Sequence, residues 1–193
     1  MNIITVSGKA RHGKDYAGEL IAKNLKDRGY KVLVTHYADL LKYLCTEFFD
    51  WNGEKDEAGR HLLQYVGTDI VRKKNPDFWV DFIVQVLDLF ENEWDYVIIP
   101  DARFPNEIYK LYDSRFPAVS IKIVRTGFDS DLSAEAKQHI SETALDGFEF
   151  DYVIENDSTN KFIHTIEGYT NAIENFFKYL TNSEYGGAET NEH

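Results

Sequence analysis

Cysteine is almost absent from this chain of 193 residues, in which Cys45 is the single one. One cysteine cannot form an intrachain disulfide, and the sequence holds no C-x-x-C pair that could bind zinc. Uninterrupted apolar runs are also too short for a membrane helix, which needs about 20 apolar residues. The chain enters a strand-like run at Asn2, without a basic segment followed by an apolar one. These features predict a protein of a reducing cytoplasm, of a cell or of an infected host, with no membrane partner.

Positive charge is scarce as well, because 21 Lys and Arg residues stand against 33 Asp and Glu residues, for a net charge of -12. A protein that grips a nucleic acid polymer along its backbone needs the opposite balance, so we expect no such partner. A small phosphorylated ligand is still compatible, since a few local cations and backbone N–H groups can bind it. The hydrophobic fraction of 43% is sufficient for a single well-packed domain.

Five short apolar runs predict the strands of an α/β domain, with helical spacing between them. The first, third and fifth runs are nearly unbroken, which indicates strands buried on both faces and therefore a parallel sheet flanked by helices. The predicted strands are "IITVS", "KVLVTHY", "DYVIIPDAR", "AVSIKIVR" and "DYVIEN", and a last helix is predicted from Lys161 to Leu180. We expect one domain over residues 1–181, a charged lid over residues 126–150, and a disordered polar tail over residues 182–193.

The first predicted strand runs into Gly8–Lys14, which fits the pattern G-x-x-x-x-G-K. Glycines let such a loop turn its N–H groups inward around phosphates, and the lysine reaches the β and γ phosphates as a point charge. The predicted strand before the loop and helix after it supply the required context. We therefore predict a nucleoside triphosphate site at this loop.

Asp15 stands where most loops of this kind have Ser or Thr, whose hydroxyl binds Mg²⁺. A carboxylate is a hard oxygen ligand and could replace that hydroxyl, directly or through water. Alternatively, Asp15 only stabilises the start of the helix, where the dipole favours an anion. The residues leave both interpretations open.

A second phosphate site is predicted where the third strand ends, in "IIPDARFPNE". Asp101 lies where a Mg²⁺-orienting carboxylate is expected, and Arg103 points the same way on an extended chain. A structural ion pair between them is the alternative, but ligands bind at the carboxyl ends of parallel strands.

Polar side chains recur every four residues along the helix predicted near residue 60, which gives a stripe opposite its apolar side. Its members are Arg60, Gln64, Thr68 and Arg72. Arg, Gln and Thr can bind a phosphate and the edge of a base, although spacing alone favours an ordinary solvated face. Lys42 and Trp79 would likewise be taken in isolation as a surface lysine and a core aromatic.

Together these segments resemble the phage-type deoxynucleoside monophosphate kinases. The matching segments follow the family's order over most of the chain: "SGKARHGKD", "ADLLK", "GRHLLQYVGTDIVR", "FWV", "IIPDARFPNE", "IVRTG", "HISETAL" and "VIENDST". "LLQYVGTD" and "PDARFPNE" carry most of the discrimination. This family and the related phosphomevalonate kinases have G-K-D in place of G-K-S/T, so the resemblance explains Asp15 as a family feature.

The resemblance implies a P-loop NTPase fold with five parallel strands in the order 2-3-1-4-5. It implies transfer of the γ-phosphoryl group of ATP, with Mg²⁺, to a deoxynucleoside 5′-monophosphate. A homodimer is compatible with this resemblance. One departure concerns the segment "LLKYLCTEFFDWNGEKDEA", which is shorter than in the family and borders the acceptor pocket. The base preference of the family is therefore not carried over.

Site residues follow from the resemblance position by position. Those implied for ATP are Lys9, Ala10, Arg11, His12, Gly13, Lys14, Asp15 and Tyr16 at the phosphates, with Asn156 and Ser158 at the adenine. Those implied for the acceptor are Lys42, Arg60, Gly67, Thr68, Trp79, Asp101, Arg103 and Glu107, to which the polar stripe adds Gln64 and Arg72. Positive charge during transfer would come from Lys14, Arg103 and the lid residue Arg125, and the candidate metal ligands are Asp15 and Asp101.

Two other functions fit parts of the sequence. One is a kinase of the same build that acts on another small phosphorylated acceptor such as phosphomevalonate. The other is a nucleotide-binding module without turnover, which the presence of Lys14, Asp101 and Arg103 disfavours. A GTPase is disfavoured because "NKFI" at 160–163 lacks the final acid of the guanine-binding motif.

Overall fold

Five parallel strands form the centre of the fold in the computed structural model, which describes residues 1–130 and 132–186. The strands are β1 (Asn2–Ser7), β2 (Val32–Val34), β3 (Tyr96–Ala102), β4 (Ala118–Val124) and β5 (Tyr152–Glu155). Their order in the sheet is β2-β3-β1-β4-β5, and each neighbouring pair is parallel. The predicted order is therefore confirmed, and all five strands end at the same edge of the sheet.

Helices connect the strands. They are α1 (Lys14–Asp27), α2 (Ala38–Phe48), α3 (Glu57–Gln64), α4 (Phe78–Leu89), α5 (Pro105–Tyr112), α6 (Ala134–Gln138), α7 (Ile140–Thr143) and α8 (Asn160–Gly186), and a π-helix over Tyr65–Arg72 directly continues α3. The prediction missed α5, a helix of eight residues that begins at a proline. It also ended the last helix at Leu180, whereas α8 extends to Gly186. Residues 187–193 of the predicted tail lie outside the described residues.

Apolar side chains cover both faces of the sheet, because successive strand residues point to opposite sides. On one face Ile4 and Val6 of β1 pack with α1 and α8 through residues such as Ile21 and Phe177. On the other face Ile3 packs with side chains from β3, α4 and α5. This burial on both sides explains the nearly continuous apolar runs in the strands.

The predicted lid segment, residues 126–150, connects β4 to β5 and contains α6 and α7. Both are short, in keeping with the weak apolar periodicity of the segment. No helix within residues 1–130 and 132–186 combines the length and apolar character needed to cross a membrane.

A charged cluster centred on Glu174 fastens α8 to the rest of the domain. The Glu174 carboxylate pairs with Arg28 after α1 and with Lys178 on its own helix, and it accepts a hydrogen bond from the Tyr30 hydroxyl at 2.8 Å. Burial opposes ionisation of Glu174, but the hydrogen bonds from Lys178, Tyr30 and Arg28 outweigh it and lower its pKa from the ordinary 4.5 to about 2.

We expect Glu174→Gln to lower the free energy of unfolding at pH 7 by about 1–3 kcal/mol, the scale of hydrogen bonds to charged groups. A depressed pKa in the folded state gives stability that is present above the ordinary pKa and is lost as pH falls through the folded value. The difference between wild type and variant should therefore shrink as pH falls from 4.5 towards about 2. Urea unfolding at pH 7 and pH 3 measures this. The exposed Glu167→Gln on the same helix is the control, and equal stability of the two variants at pH 7 would refute the assignment.

Candidate active site

The loop between β1 and α1 has the backbone geometry that its glycines predict. Gly13 has a φ of 92°, in the left-handed region that favours glycine. A Cβ atom at Gly13 would also lie 2.6 Å from Nδ2 of Asn156. This same Nδ2 donates a hydrogen bond of 2.9 Å to the carbonyl oxygen of His12. Asn156 therefore braces the loop from β5, a role that the prediction of an adenine contact did not include.

Lys14, the first residue of α1, is a buried lysine that lines a cleft. Its side chain is only 9% exposed, and Nζ lies 3.2 Å from Oδ2 of Asp15. Burial lowers the pKa of Lys14, and the nearby Arg103 lowers it further. The carboxylate of Asp15 is 61% exposed, so it can contact a ligand as well as Lys14.

A single cleft with a cavity volume of about 260 Å³ brings the loop together with the predicted acceptor residues. The predicted residues that line it are Lys14, Asp15, Lys42, Arg60, Gln64, Gly67, Thr68, Arg72, Trp79, Asp101, Arg103 and Glu107. Every residue named for the acceptor is in this set. The other predicted residues, from the outer loop and from the ends of β4 and β5, lie outside the lining.

The polar stripe lines the cleft because the helix that carries it changes its winding. In α3 a step of four residues exceeds a turn of about 3.6 residues, so side chains at this spacing drift around the axis in one direction. The π-helix that follows has wider turns with i→i+5 hydrogen bonds, and the same spacing drifts back. Arg60, Gln64, Thr68 and Arg72 consequently all reach the cleft.

Asp101 and Arg103 line the cleft but do not form the ion pair considered as their alternative role. The two carboxylate oxygens of Asp101 accept the backbone N–H groups of Tyr37 and Ala38, at 2.9 and 3.0 Å. The guanidinium of Arg103 instead pairs with Glu142 in the lid segment. Asp101 therefore fixes the start of α2 against the end of β3, and each of its oxygens has a second lone pair that these two bonds do not use.

Glu107 and Arg72 form the floor of the cleft as a buried ion pair. The carboxylate of Glu107 also accepts the N–H groups of Arg103 and Phe104, at 2.6 and 2.9 Å. Burial raises the pKa of Glu107, and the adjacent Arg72 opposes this shift. Arg72 in addition lies 4.0 Å over the ring of Phe104. Both were predicted as acceptor contacts, but the structure commits their charged groups to each other.

Arg125, which was predicted to take part in transfer, is not among the residues that line the cleft. Its Nε donates to Oγ of Ser158 at 2.8 Å, and its guanidinium stacks 4.0 Å above the ring of Phe128. Its backbone N–H donates to Nδ1 of His12, for which burial lowers the pKa and so favours the neutral ring that can accept. The stacking and the bond to Ser158 hold Arg125 beside a residue predicted for adenine, and its role in transfer stays a prediction.

Several residues of the cleft were missed from the sequence. They include His36, Lys55, Phe104, Leu132 and Glu142. Nδ1 of His36 is 3.3 Å from Asp39, and its Nε2 is 4.0 Å from Asp15. The position of His36 just after β2 was the one available signal, since residues at strand ends gather at the ligand-binding edge.

The strand order and the loop that joins β1 to α1 define a P-loop NTPase fold. Residues 45–166 match the family model of deoxynucleotide monophosphate kinase. The chain is also 33% identical to the deoxynucleotide monophosphate kinase of Enterobacteria phage T4, over 131 residues that make up 67% of this chain and 49% of that protein. The chain therefore belongs to the deoxynucleotide monophosphate kinase family, and it spans about half the length of this curated relative.

Solved structures that match over most of this chain have TM-scores just below 0.5 and low sequence identity to it. The APS kinase CysC of Mycobacterium tuberculosis, as a cysteine-to-alanine mutant, has a TM-score of 0.49 at 10% identity, with 92% of this chain and 96% of that chain covered. APE1195 has a TM-score of 0.49 at 14% identity, with 90% and 94% covered. The family assignment depends on the sequence matches alone.

Proposed function

We propose that the protein transfers the γ-phosphoryl group of ATP to a deoxynucleoside 5′-monophosphate, with ADP and a deoxynucleoside diphosphate as products. The observation that carries this proposal is one cleft with Lys14 at one end and the stripe from Arg60 to Arg72 along its wall. A kinase must hold two phosphorylated molecules next to each other, and this cleft has groups for both. Membership of the deoxynucleotide monophosphate kinase family supports the choice of acceptor.

The donor triphosphate binds the loop Lys9–Tyr16 in this proposal. Backbone N–H groups of the loop and the N-terminal end of α1 face the phosphates, and Lys14 adds a full positive charge. Because the ammonium of Lys14 is buried, water screens it weakly and its attraction for phosphate is strong. Asn156, Ser158 and Arg125 lie at the adenine.

The acceptor binds along the stripe. Within the described residues, the side chains of Arg60, Gln64 and Thr68 line the cleft and form no hydrogen bond or ion pair with other protein groups. Polar side chains that face a cleft without protein partners are available to a ligand. The guanidinium of Arg60 suits the phosphate, while the amide of Gln64 and the hydroxyl of Thr68 suit polar edges of a base or sugar. Trp79 and the buried pair of Arg72 and Glu107 shape the floor, and Lys42 adds charge at the rim.

Asp15 and Asp101 fit a Mg²⁺ ion. Mg²⁺ is typically bound by one or two carboxylates together with phosphates of the substrate, and these two carboxylates line the cleft beside Lys14. The exposed oxygens of Asp15 and the remaining lone pairs of Asp101 are suitable ligands. When bound, the ion would neutralise part of the charge on the phosphates.

Transfer then depends on position and charge. An acceptor phosphate is already a nucleophile, so no general base is required, and the protein only has to align two polyanions and offset their repulsion. Lys14 supplies positive charge on the side of the donor triphosphate, and Arg103 supplies it on the side of the acceptor. Closure of residues 126–150 over the cleft would exclude water and limit hydrolysis of ATP.

An acceptor panel tests this proposal directly. The purified protein is incubated with ATP and Mg²⁺ and with the deoxy and ribo 5′-monophosphate of each base, and with phosphomevalonate, and products are quantified by anion-exchange chromatography. We expect a deoxynucleoside diphosphate from at least one deoxy acceptor, at a rate well above that of ATP alone. Phosphorylation of phosphomevalonate instead would make the protein a different small-molecule kinase. Absence of any product would favour a nucleotide-binding module.

A further inference from the structure

A carboxylate of the protein lies at the phosphate-binding loop. Oε2 of Glu142, in α7, accepts the backbone N–H of Ala10 at 3.1 Å, and Oε1 pairs with the guanidinium of Arg103. The Glu142 side chain is only 10% exposed. Four residues later, Asp146 pairs with Lys9 at 3.0 Å. The segment 139–146 is thus fastened to the loop by two carboxylates.

The contacts of Glu142 are those that a phosphate would make. A loop N–H belongs to the cradle that holds a triphosphate, and a guanidinium is the usual partner of a phosphoryl oxygen. Arg103 projects from the end of β3, on the acceptor side, so an anion in contact with both Ala10 and Arg103 lies between donor loop and acceptor wall. The Glu142 carboxylate therefore stands in for the terminal phosphate of the donor.

A carboxylate and a phosphate cannot share these partners. Both are anions, and at the short separation imposed by common hydrogen-bond donors their repulsion in a partly buried site is large. The single N–H of Ala10 can serve only one of them, and Arg103, which also donates to the carbonyl oxygen of Ser141, would have to divide its N–H groups between the two. Binding of a triphosphate to the loop hence requires Glu142 to leave Ala10 and Arg103.

We propose that Glu142 is an internal competitor of the terminal phosphate of ATP, and that its release couples nucleotide binding to movement of the segment 139–146. This inference rests on the proposed function for the identity of the donor. In the absence of nucleotide, Glu142 keeps Arg103 paired and close to the loop. When the terminal phosphate arrives, Arg103 exchanges one anion for another and the segment is freed to rearrange around the substrates.

Isothermal titration of ATP without acceptor measures this competition. Glu142→Gln keeps the shape of the side chain but removes its charge, so ATP should bind about tenfold more tightly, the scale of one charge-assisted hydrogen bond. The gain should be smaller for ADP, which has no terminal phosphate to take the place of the carboxylate. Glu135→Gln makes the same charge change on the exposed α6 and is the matched control, with an affinity expected within about twofold of wild type.

Hydrogen exchange gives a second measurement on the protein without nucleotide. Amides of the segment 139–146 should exchange faster in Glu142→Gln than in wild type or Glu135→Gln. If Glu142→Gln does not fold, Asp146→Asn is the replacement variant, because it breaks the ion pair between Asp146 and Lys9. Its amides in the segment 139–146 should also exchange faster than those of wild type. ATP affinity in Glu142→Gln that is equal to or weaker than in Glu135→Gln would overturn the proposal. Because titration needs no turnover, tighter ATP binding together with a silent acceptor panel would refute the proposed function and leave this inference standing.

Discussion

Lys14→Ala is expected to lower the rate of phosphoryl transfer by about 10²–10³-fold, the typical effect of removing one preorganised charged or hydrogen-bonding group at a reacting centre. The reason is the position of the ammonium group, which is buried at the end of the cleft where loop and acceptor wall meet. Water cannot replace it well there, because the site screens charge weakly. Steady-state kinetics with saturating ATP and the best acceptor from the panel measure the change in kcat.

The control for this variant is Lys23→Ala. Lys23 is on the same helix, is exposed and, among the described residues, forms an ion pair with Asp27 alone, so its removal changes net charge equally without touching the cleft. Its kcat should stay within about twofold of wild type, as for surface pairs generally. Thermal unfolding of both variants separates a catalytic loss from a folding defect. If Lys14→Ala retains the wild-type kcat, the loop has no part in the reaction.

Glu107→Ala is expected to lower the free energy of unfolding by about 3–5 kcal/mol, since removal of one member of a buried ion pair leaves the other charge uncompensated. Glu107 is 1% exposed, and three groups depend on its carboxylate: the guanidinium of Arg72 and the N–H groups of Arg103 and Phe104. The variant would leave the two N–H groups without this acceptor and the guanidinium of Arg72 without its counter-charge, although Arg72 still donates to the carbonyl oxygen of Pro76. Urea unfolding followed by circular dichroism measures the loss.

An exposed pair on the same part of the chain provides the comparison. Asp69 of the π-helix pairs with Lys73 at 3.2 Å, and the side chains are 41% and 72% exposed. Asp69→Ala should cost less than about 1 kcal/mol, because exposed pairs contribute little. A loss for Glu107→Ala no larger than that for Asp69→Ala would show that the floor of the cleft does not depend on the buried pair.

The sheet could be predicted because burial on both faces leaves a pattern that a single strand displays by itself. Residues such as Ile98 and Ile99 point to opposite sides of β3 and are both fully buried, so the apolar run is continuous. The loop at Gly13 could be predicted from an equally local signal, since the left-handed backbone at this position favours glycine. The helix α5 escaped prediction because its eight residues give too short an apolar pattern, although the proline at its first position and Glu107 at its third are signals of a helix start.

Partnerships between distant residues could not be read from the sequence. Arg72 belongs to the polar stripe by spacing, yet its charge is used by Glu107, 35 positions further along the chain. Arg125 follows a strand that ends at the ligand-binding edge, and its contacts with the ring of Phe128 and the hydroxyl of Ser158 could not be read from that position. Composition and periodicity indicate which residues can reach a site, whereas the tertiary structure decides which partner each of them takes.

The junction between α3 and the π-helix has a consequence for comparing members of the family. Where the winding changes within one continuous helix, the same number of residues no longer gives the same rotation about the helix axis. In a homologue with the same letters from Arg60 to Arg72 but uniform α-helical winding, the four side chains would spread over about 120° around the helix axis. An alignment of this stretch therefore shows which residue types are shared. The winding of the helix determines whether those side chains point towards one ligand.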